Sequence, residues 1–149
     1  MELFDIISND IKEAMKSKDK VALNTLRNIK KVLLEAKTAP GANNTVSEEA
    51  AIKIIQKLVK QGRESAELYA SQNRDDLAQE ELAQVQVMEK YLPKQLSGDE
   101  IKAAVKAIIE EIGATGQQDF GKVMGIASKR LAGKADGRAI SATTKELLS

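Results

Sequence analysis

The sequence predicts an all-α protein of two small helical domains, and three observations carry that expectation. Apolar residues recur every three to four positions over most of the chain, which is the period of one helix face. Aromatic residues are only 3% of the 149, while Ala, Leu, Ile, Val, Lys and Glu dominate, a mixture that favours helix over strand. A break around Pro93 separates four helical patterns from three more.

The first helix is expected over Glu2 to Lys18, with Leu3, Phe4, Ile7, Ile11 and Met15 forming one stripe. Asp19 can cap a second helix, Lys20 to about Lys37, whose stripe is Leu23, Leu26, Ile29, Leu33 and Ala36. The short junction predicts a hairpin. Residues 38–46 hold Pro, Gly and two Asn, so they form a loop. Ser47 caps a long third helix, with Glu48 and Glu49 against its positive end and the stripe Ala51, Ile55, Leu58, Gly62, Ser65 and Tyr69. Gly62 in mid-helix costs about 1 kcal/mol relative to Ala, which predicts another helix passing close to it. Asn73 can adopt the left-handed conformation that ends a helix. The fourth helix, about Asp75 to Tyr91, turns Ala78, Leu82, Val85, Met88 and Leu92 inward.

Residues 1–92 therefore form the N-terminal domain, residues 93–96 a linker and residues 97–149 a three-helix C-terminal domain. Ser97 and Glu100 have capping-box spacing at the start of the fifth helix, which presents Ile101, Ala104, Val105, Ile108 and Ile112 and closes at Gly113. The sixth helix, about Gln117 to Leu131, carries Phe120, Val123, Met124, Ala127 and Leu131. Asp136 caps a seventh with Ile140, Thr144, Leu147 and Leu148.

Composition excludes much chemistry. There is no cysteine and no histidine, so disulfides, thiol nucleophiles and thiolate or imidazole metal sites are absent, as is the usual general base near neutral pH. No cofactor, metal or catalytic residue is expected, and the chain is read as non-enzymatic. No apolar run approaches the roughly 20 residues that cross a bilayer. The opening Met-Glu-Leu-Phe-Asp has acids where a secretory leader needs bases, so the expected location is the cytoplasm, with no membrane partner.

The carboxylates Glu80, Glu81, Glu89, Glu110 and Glu111 are interleaved with polar residues in the manner of solvated helix faces. Lys53, Lys57 and Lys60 read likewise, as an exposed surface among Glu49, Glu64 and Glu67. Gly121-Lys122-Val123-Met124-Gly125 is not a phosphate loop, since it lacks the required spacing and a preceding strand. Its two glycines share one helix face, either for packing inside the domain or for docking a partner.

Net charge is +1, with 23 bases and 22 acids, so any polyanion must be drawn by a local patch. Such a patch lies between Lys122 and Arg138, where Lys122, Lys129, Arg130, Lys134 and Arg138 face a single acid, Asp136. Gly133-Lys134-Ala135-Asp136-Gly137-Arg138 reads as a flexible basic turn beside a helix N-terminus, an arrangement that can bind phosphate. It can equally be a helix cap with solvated charges. With so few aromatics, any RNA would be held through phosphates and shape rather than by stacking on bases.

These segments resemble the GatB/YqeY family. Tyr91-Leu92-Pro93-Lys94-Gln95-Leu96-Ser97 is similar to the interdomain signature of YqeY-type proteins. Gly121-Lys122-Val123-Met124-Gly125 and Gly133-Lys134-Ala135-Asp136-Gly137-Arg138 are similar to the paired motifs of their C-terminal domain. Asp19-Lys20 with Thr25-Leu26-Arg27 resembles the first hairpin, and Asp75-Asp76-Leu77-Ala78 the fourth helix. The likeness spans essentially the whole chain.

The resemblance implies a four-helix and a three-helix domain. It also implies kinship with the tail of the GatB subunit of glutamine-dependent tRNA amidotransferase, which grips tRNA while other parts perform the chemistry. On that analogy Lys122, Lys129, Lys134 and Arg138 contact RNA backbone, while Gly121, Gly125, Gly133 and Gly137 shape turns or permit close approach. The chain lacks the kinase-like cradle and the amidase, so a carbon–nitrogen ligase label on the family reflects kinship only. The expected function is a non-catalytic accessory role in translation with tRNA or structured RNA as partner. The alternative is a protein-interaction module docking on an amidotransferase or another translation enzyme.

Overall fold

The computed structural model describes residues 2–149, and the described residues contain helices and no strand. Contacts divide the protein into a unit ending at Leu92 and a unit from Pro93 to Ser149.

In the first unit, α1 (Leu3–Ser17) and α2 (Lys20–Lys37) form a hairpin. Lys18, in the left-handed conformation at φ 58°, ends α1, and the Asp19 carboxylate accepts from the Ala22 N–H to start α2. The loop that follows turns through Asn43 and Asn44, both at positive φ. α3 (Glu48–Ser71) begins under the Ser47 cap, whose hydroxyl accepts from the Ala50 N–H. Asn73, at φ 59°, redirects the chain into α4 (Asp75–Glu89). α4 packs along α3 and also against α2, which closes the bundle.

The core of this unit is aliphatic, built on Ile7, Leu26, Ile29, Leu33, Ile55, Val59, Val85 and Met88. Gly62 is buried, and a Cβ added there would meet Val85 Cγ2 at 2.7 Å, so the expected close helix approach is real. The α3 stripe is offset from the expected one: Val59 and Ala66 are buried, while Leu58, Ser65 and Tyr69 are only partly covered. Met15 (54% exposed) and Leu82 (38%) do not face the core, because the bundle covers a narrower arc of α1 and α4 than their full apolar stripes. The Tyr91 hydroxyl donates to Asp10 at 2.5 Å, tying the chain after α4 to α1. Burial and that carboxylate push the Tyr91 hydroxyl well above its ordinary pKa.

In the second unit, α5 (Gly98–Ile112), α6 (Phe120–Arg130) and α7 (Gly137–Leu148) pack pairwise, with a 3-10 turn at Gln117–Asp119 leading into α6. That turn replaces the first part of the expected sixth helix. Asp119 stabilises the approach by accepting from the Thr115 N–H at 3.0 Å. The capping box at α5 is complete: Ser97 Oγ accepts from the Glu100 N–H and Glu100 accepts from the Ser97 N–H. Gly113, at φ 66°, closes the helix. Ile101, Val105, Ile108, Val123, Ala127, Leu131, Ile140 and Leu148 form the core, while Ile112 at the end of α5 stays 38% exposed. The buried Thr144 hydroxyl is satisfied within its own helix by the Ile140 carbonyl at 2.7 Å. Residues 93–96 belong to this unit and are not a free linker.

Two expectations follow. Gly62→Ala should destabilise the protein by about 1–3 kcal/mol in urea unfolding despite the better helix propensity of Ala, and combination with Val85→Ala should recover part of the loss. Glu100 is held below its ordinary pKa, chiefly by the hydrogen bond from the Ser97 N–H. Its contribution is therefore complete above the unfolded carboxylate pKa and is lost as pH falls through the lower folded value. Unfolding midpoints measured down that range should fall less for Glu100→Gln than for the wild type.

Candidate nucleic-acid interface

The basic residues singled out by the sequence all lie on α6, the turn that follows it and the first turn of α7. The buried side of α6 is Val123 and Ala127, so helix geometry puts Lys122, Gly125 and Lys129 on the opposite, solvent side. Lys122 and Lys129 are seven residues apart, two turns along the same line, with Gly125 between them. A Cβ added at Gly121 or Gly125 would meet no atom within 4 Å, so neither glycine serves packing inside the unit. Gly125 leaves helix backbone uncovered between the two lysines, and Gly121 does so just before Lys122.

Lys134 and Arg138 are presented by the turn between α6 and α7. Sequence reading expects a flexible turn; the structure holds it firmly. Leu131, Gly133 and Ala135 are buried, and Gly133 takes φ 77°, a conformation that glycine adopts without steric cost. The Leu131 carbonyl accepts from Lys134 N–H at 2.9 Å and from Ala135 N–H at 3.3 Å. The segment before α5 then clamps the turn from outside it. Gln95 Nε2 donates to the Gly133 carbonyl at 2.7 Å and Leu96 N–H donates to the Lys134 carbonyl at 2.9 Å. Gln95 also donates to the Pro93 carbonyl at 2.9 Å, which keeps its amide in place. With its backbone satisfied in this way, the turn projects Lys134 and keeps Ala135 inside.

The five cations are not equivalent. Arg130 is paired with Glu111 at 2.7 Å, across from α6 to α5. The hydrogen bond and the mutual charge hold Glu111 below and Arg130 above their ordinary pKa values. Arg130 is thus the member whose charge is already answered. Lys122, Lys129, Lys134 and Arg138 are exposed and make no ion pair among the described residues. The α7 N-terminus departs from the expected anion cradle, because the Asp136 carboxylate already caps it, accepting from the Arg138 N–H at 3.4 Å. A phosphate here would be met by side-chain cations, not by bare helix amides. Gly137 is exposed, with open space where its Cβ would be.

Among the described residues no three His, Cys, Asp or Glu converge as a metal site, and no buried side-chain polar atom lacks a partner. The groove at the starts of α1 and α3, about 370 Å³ and lined by Leu3, Ile6, Val46 and Ala51 with Glu2 and Glu48, holds one hydroxyl, that of Ser47, and it is engaged as the α3 cap. No described helix is long and apolar enough to cross a membrane. Gln95 and Leu96 are the site residues that sequence reading missed. Their signals were the polar Gln95 after Pro93 and the signature segment that holds both, neither of which names a contact, since their partners lie 38 residues further along.

Known proteins match the sequence over much or nearly all of its length. The sequence profile of the family described as Yqey-like protein matches residues 4–148. A protein of Pyrenophora tritici-repentis named altered inheritance of mitochondria protein 41, mitochondrial, is 32% identical over 93% of this chain and 77% of its own length. Proteins of the same name from Meyerozyma guilliermondii and Clavispora lusitaniae are 42% and 31% identical. These matches cover 58% and 75% of this chain, and 44% and 65% of those proteins. Neither the family description nor these names carries a reaction, so no catalytic family is indicated; the names do assign those relatives to mitochondria. Matched from Phe4 to Leu148, the chain belongs to the YqeY-like family.

Proposed function

We propose that the protein is a non-catalytic accessory of translation that binds tRNA or another structured RNA through the phosphate backbone, using its second unit. The observation that carries this reading is the set of four exposed cations without ion pairs, Lys122, Lys129, Lys134 and Arg138, disposed along α6 and a turn whose backbone is clamped from outside. Pre-ordering the turn lowers the conformational entropy lost on binding. The charges are spread along a surface and do not converge on one point, which suits a polyanion better than a single small anion. The resemblance of these motifs to the tRNA-gripping GatB tail supports the same reading.

The cytoplasm is the compartment expected from the sequence. The relatives named mitochondrial put a second compartment beside it, and tRNA is the partner in either case; fractionation of cells expressing the full chain distinguishes them.

A second reading rests on Gly121 and Gly125, whose uncovered helix strip admits close approach of a partner's backbone. On that reading the second unit docks on an amidotransferase or another translation protein.

Mobility shift of total tRNA by the purified protein separates the two. RNA binding predicts saturable complexes at low salt and a steep loss as salt rises. Lys134→Glu/Arg138→Glu should weaken binding and make the log–log salt slope shallower by about 1.5, the effect of two lost phosphate contacts. Binding indifferent to both salt and the substitutions, or no binding at low salt, transfers the reading to a protein partner.

A further inference from the structure

The near-neutral balance of the first unit conceals a segregation of charge. α2 carries Lys20, Arg27, Lys30, Lys31 and Lys37 with a single acid, Glu35, whereas α4 carries Asp75, Asp76, Glu80, Glu81 and Glu89 and no base. At 100° per residue the five cations of α2 fall within an arc of about 120°, with Leu34 near its middle. Glu35 lies beyond one edge of that arc, and the buried face of Thr25, Leu26, Ile29 and Leu33 begins about 20° beyond the other. From Lys20 to Lys37 the stripe is about 26 Å long.

Two further observations set this stripe apart from an ordinary solvated face. Elsewhere in the unit four bases are answered, Lys16 by Glu13, Lys53 by Glu49, Arg63 by Glu89 and Arg74 by Asp76, while Lys12, Lys18, Lys57, Lys60 and Lys90 stand singly and no helix but α2 gathers five. Among the described residues none of the five α2 cations makes an ion pair. Lys30 and Lys37 instead stand over the Phe4 ring of α1, at 5.6 and 4.3 Å from its centroid. A cation–π contact restrains an ammonium group while leaving its full charge available to a second partner.

We propose that the exposed face of α2 is a second, separate site for the phosphodiester backbone of a structured RNA. The proposal rests on the reading of the protein as an RNA binder, but its residues belong to the other unit. A line of cations suits a chain of phosphates; a free phosphate would need them to converge. A lipid surface fits less well. The apolar side of α2 is consumed by the core; of the two apolar residues within the stripe, Leu23 packs on that core and Leu34 is 46% exposed, whereas an interfacial helix turns its apolar face to lipid.

The test is tRNA mobility shift across a salt series with the full chain, comparing wild type, Arg27→Glu/Lys31→Glu and Lys134→Glu/Arg138→Glu. Both α2 positions are exposed, so the core should survive, and circular dichroism melting checks that it does. Should the double reversal unfold, the milder Lys20→Gln/Arg27→Gln takes its place. The expected result for the α2 variant is about a tenfold loss of affinity near physiological salt and a slope shallower by about 1.5. If that variant binds like wild type while the C-terminal variant is weakened, the second site is wrong and the first stands. If the α2 variant is weakened and the C-terminal variant is not, the second site stands and the C-terminal interface falls. No binding by wild type removes both. Phosphatidylserine vesicles form the remaining arm: loss of vesicle binding by the α2 variant with tRNA binding intact overturns the choice of RNA.

Discussion

Two hydrogen bonds from the segment before α5, Gln95 Nε2 to the Gly133 carbonyl and Leu96 N–H to the Lys134 carbonyl, fix the turn on which the second unit depends. The unit spans 57 residues, Pro93 to Ser149, a size at which a core alone supplies little surplus stability. Its α6 and α7 must be joined by a reversal that buries Leu131 and Ala135 on either side of Gly133. The carbonyls of such a reversal need partners, and a buried one left unmade costs about 1–3 kcal/mol. The strap provides them, so the backbone of the turn is committed inward while Lys134 and Arg138 are left at the surface.

Packing and function are divided in the same way throughout. Buried positions are almost wholly aliphatic, and the two buried hydroxyls, Thr25 and Thr144, are spent on carbonyls of their own helices. The close approach of Gly62 to Val85 brings α3 and α4 together, and the Arg63–Glu89 ion pair bridges the same two helices at the surface. Charge lies on the surface and is unevenly distributed: α4 is acidic, α2 is basic, and the second unit carries Lys122, Lys129, Lys134 and Arg138 along α6 and the turn to α7. On the proposed function, a partner is recognised by position and sign of charge, not by being enclosed.

Sequence reading reached what is encoded locally. Asp19, Ser47 and the Ser97–Glu100 pair act as caps because a side chain three residues from an unpaired N–H is all that a cap requires. Asn73 and Gly113 end helices because left-handed backbone is a property of the residue itself. Gly62 was legible as a close approach since nothing else explains a buried mid-helix glycine. The strap was not legible, because its partners are remote in sequence and its residues have the composition of a linker. Gly121 and Gly125 looked like Gly62 by spacing but face solvent, a difference set by the orientation of α6 alone. Met15, Leu82 and Ile112 show the related limit: periodicity places a residue on a stripe, whereas the neighbouring helices decide how wide a stripe they cover. The basic face of α2 was hidden in a near-zero net charge, because the acids of α4 offset it in the sum.

Amide hydrogen exchange of Gln95→Ala against wild type tests the strap most directly, since Gln95 is exposed and its loss opens no cavity in the core. Faster exchange is expected at Leu96, Lys134 and Ala135, with protection in α1 to α4 unchanged. Unchanged protection across Leu131–Arg138 would mean that the turn is ordered without the strap, and would contradict the account.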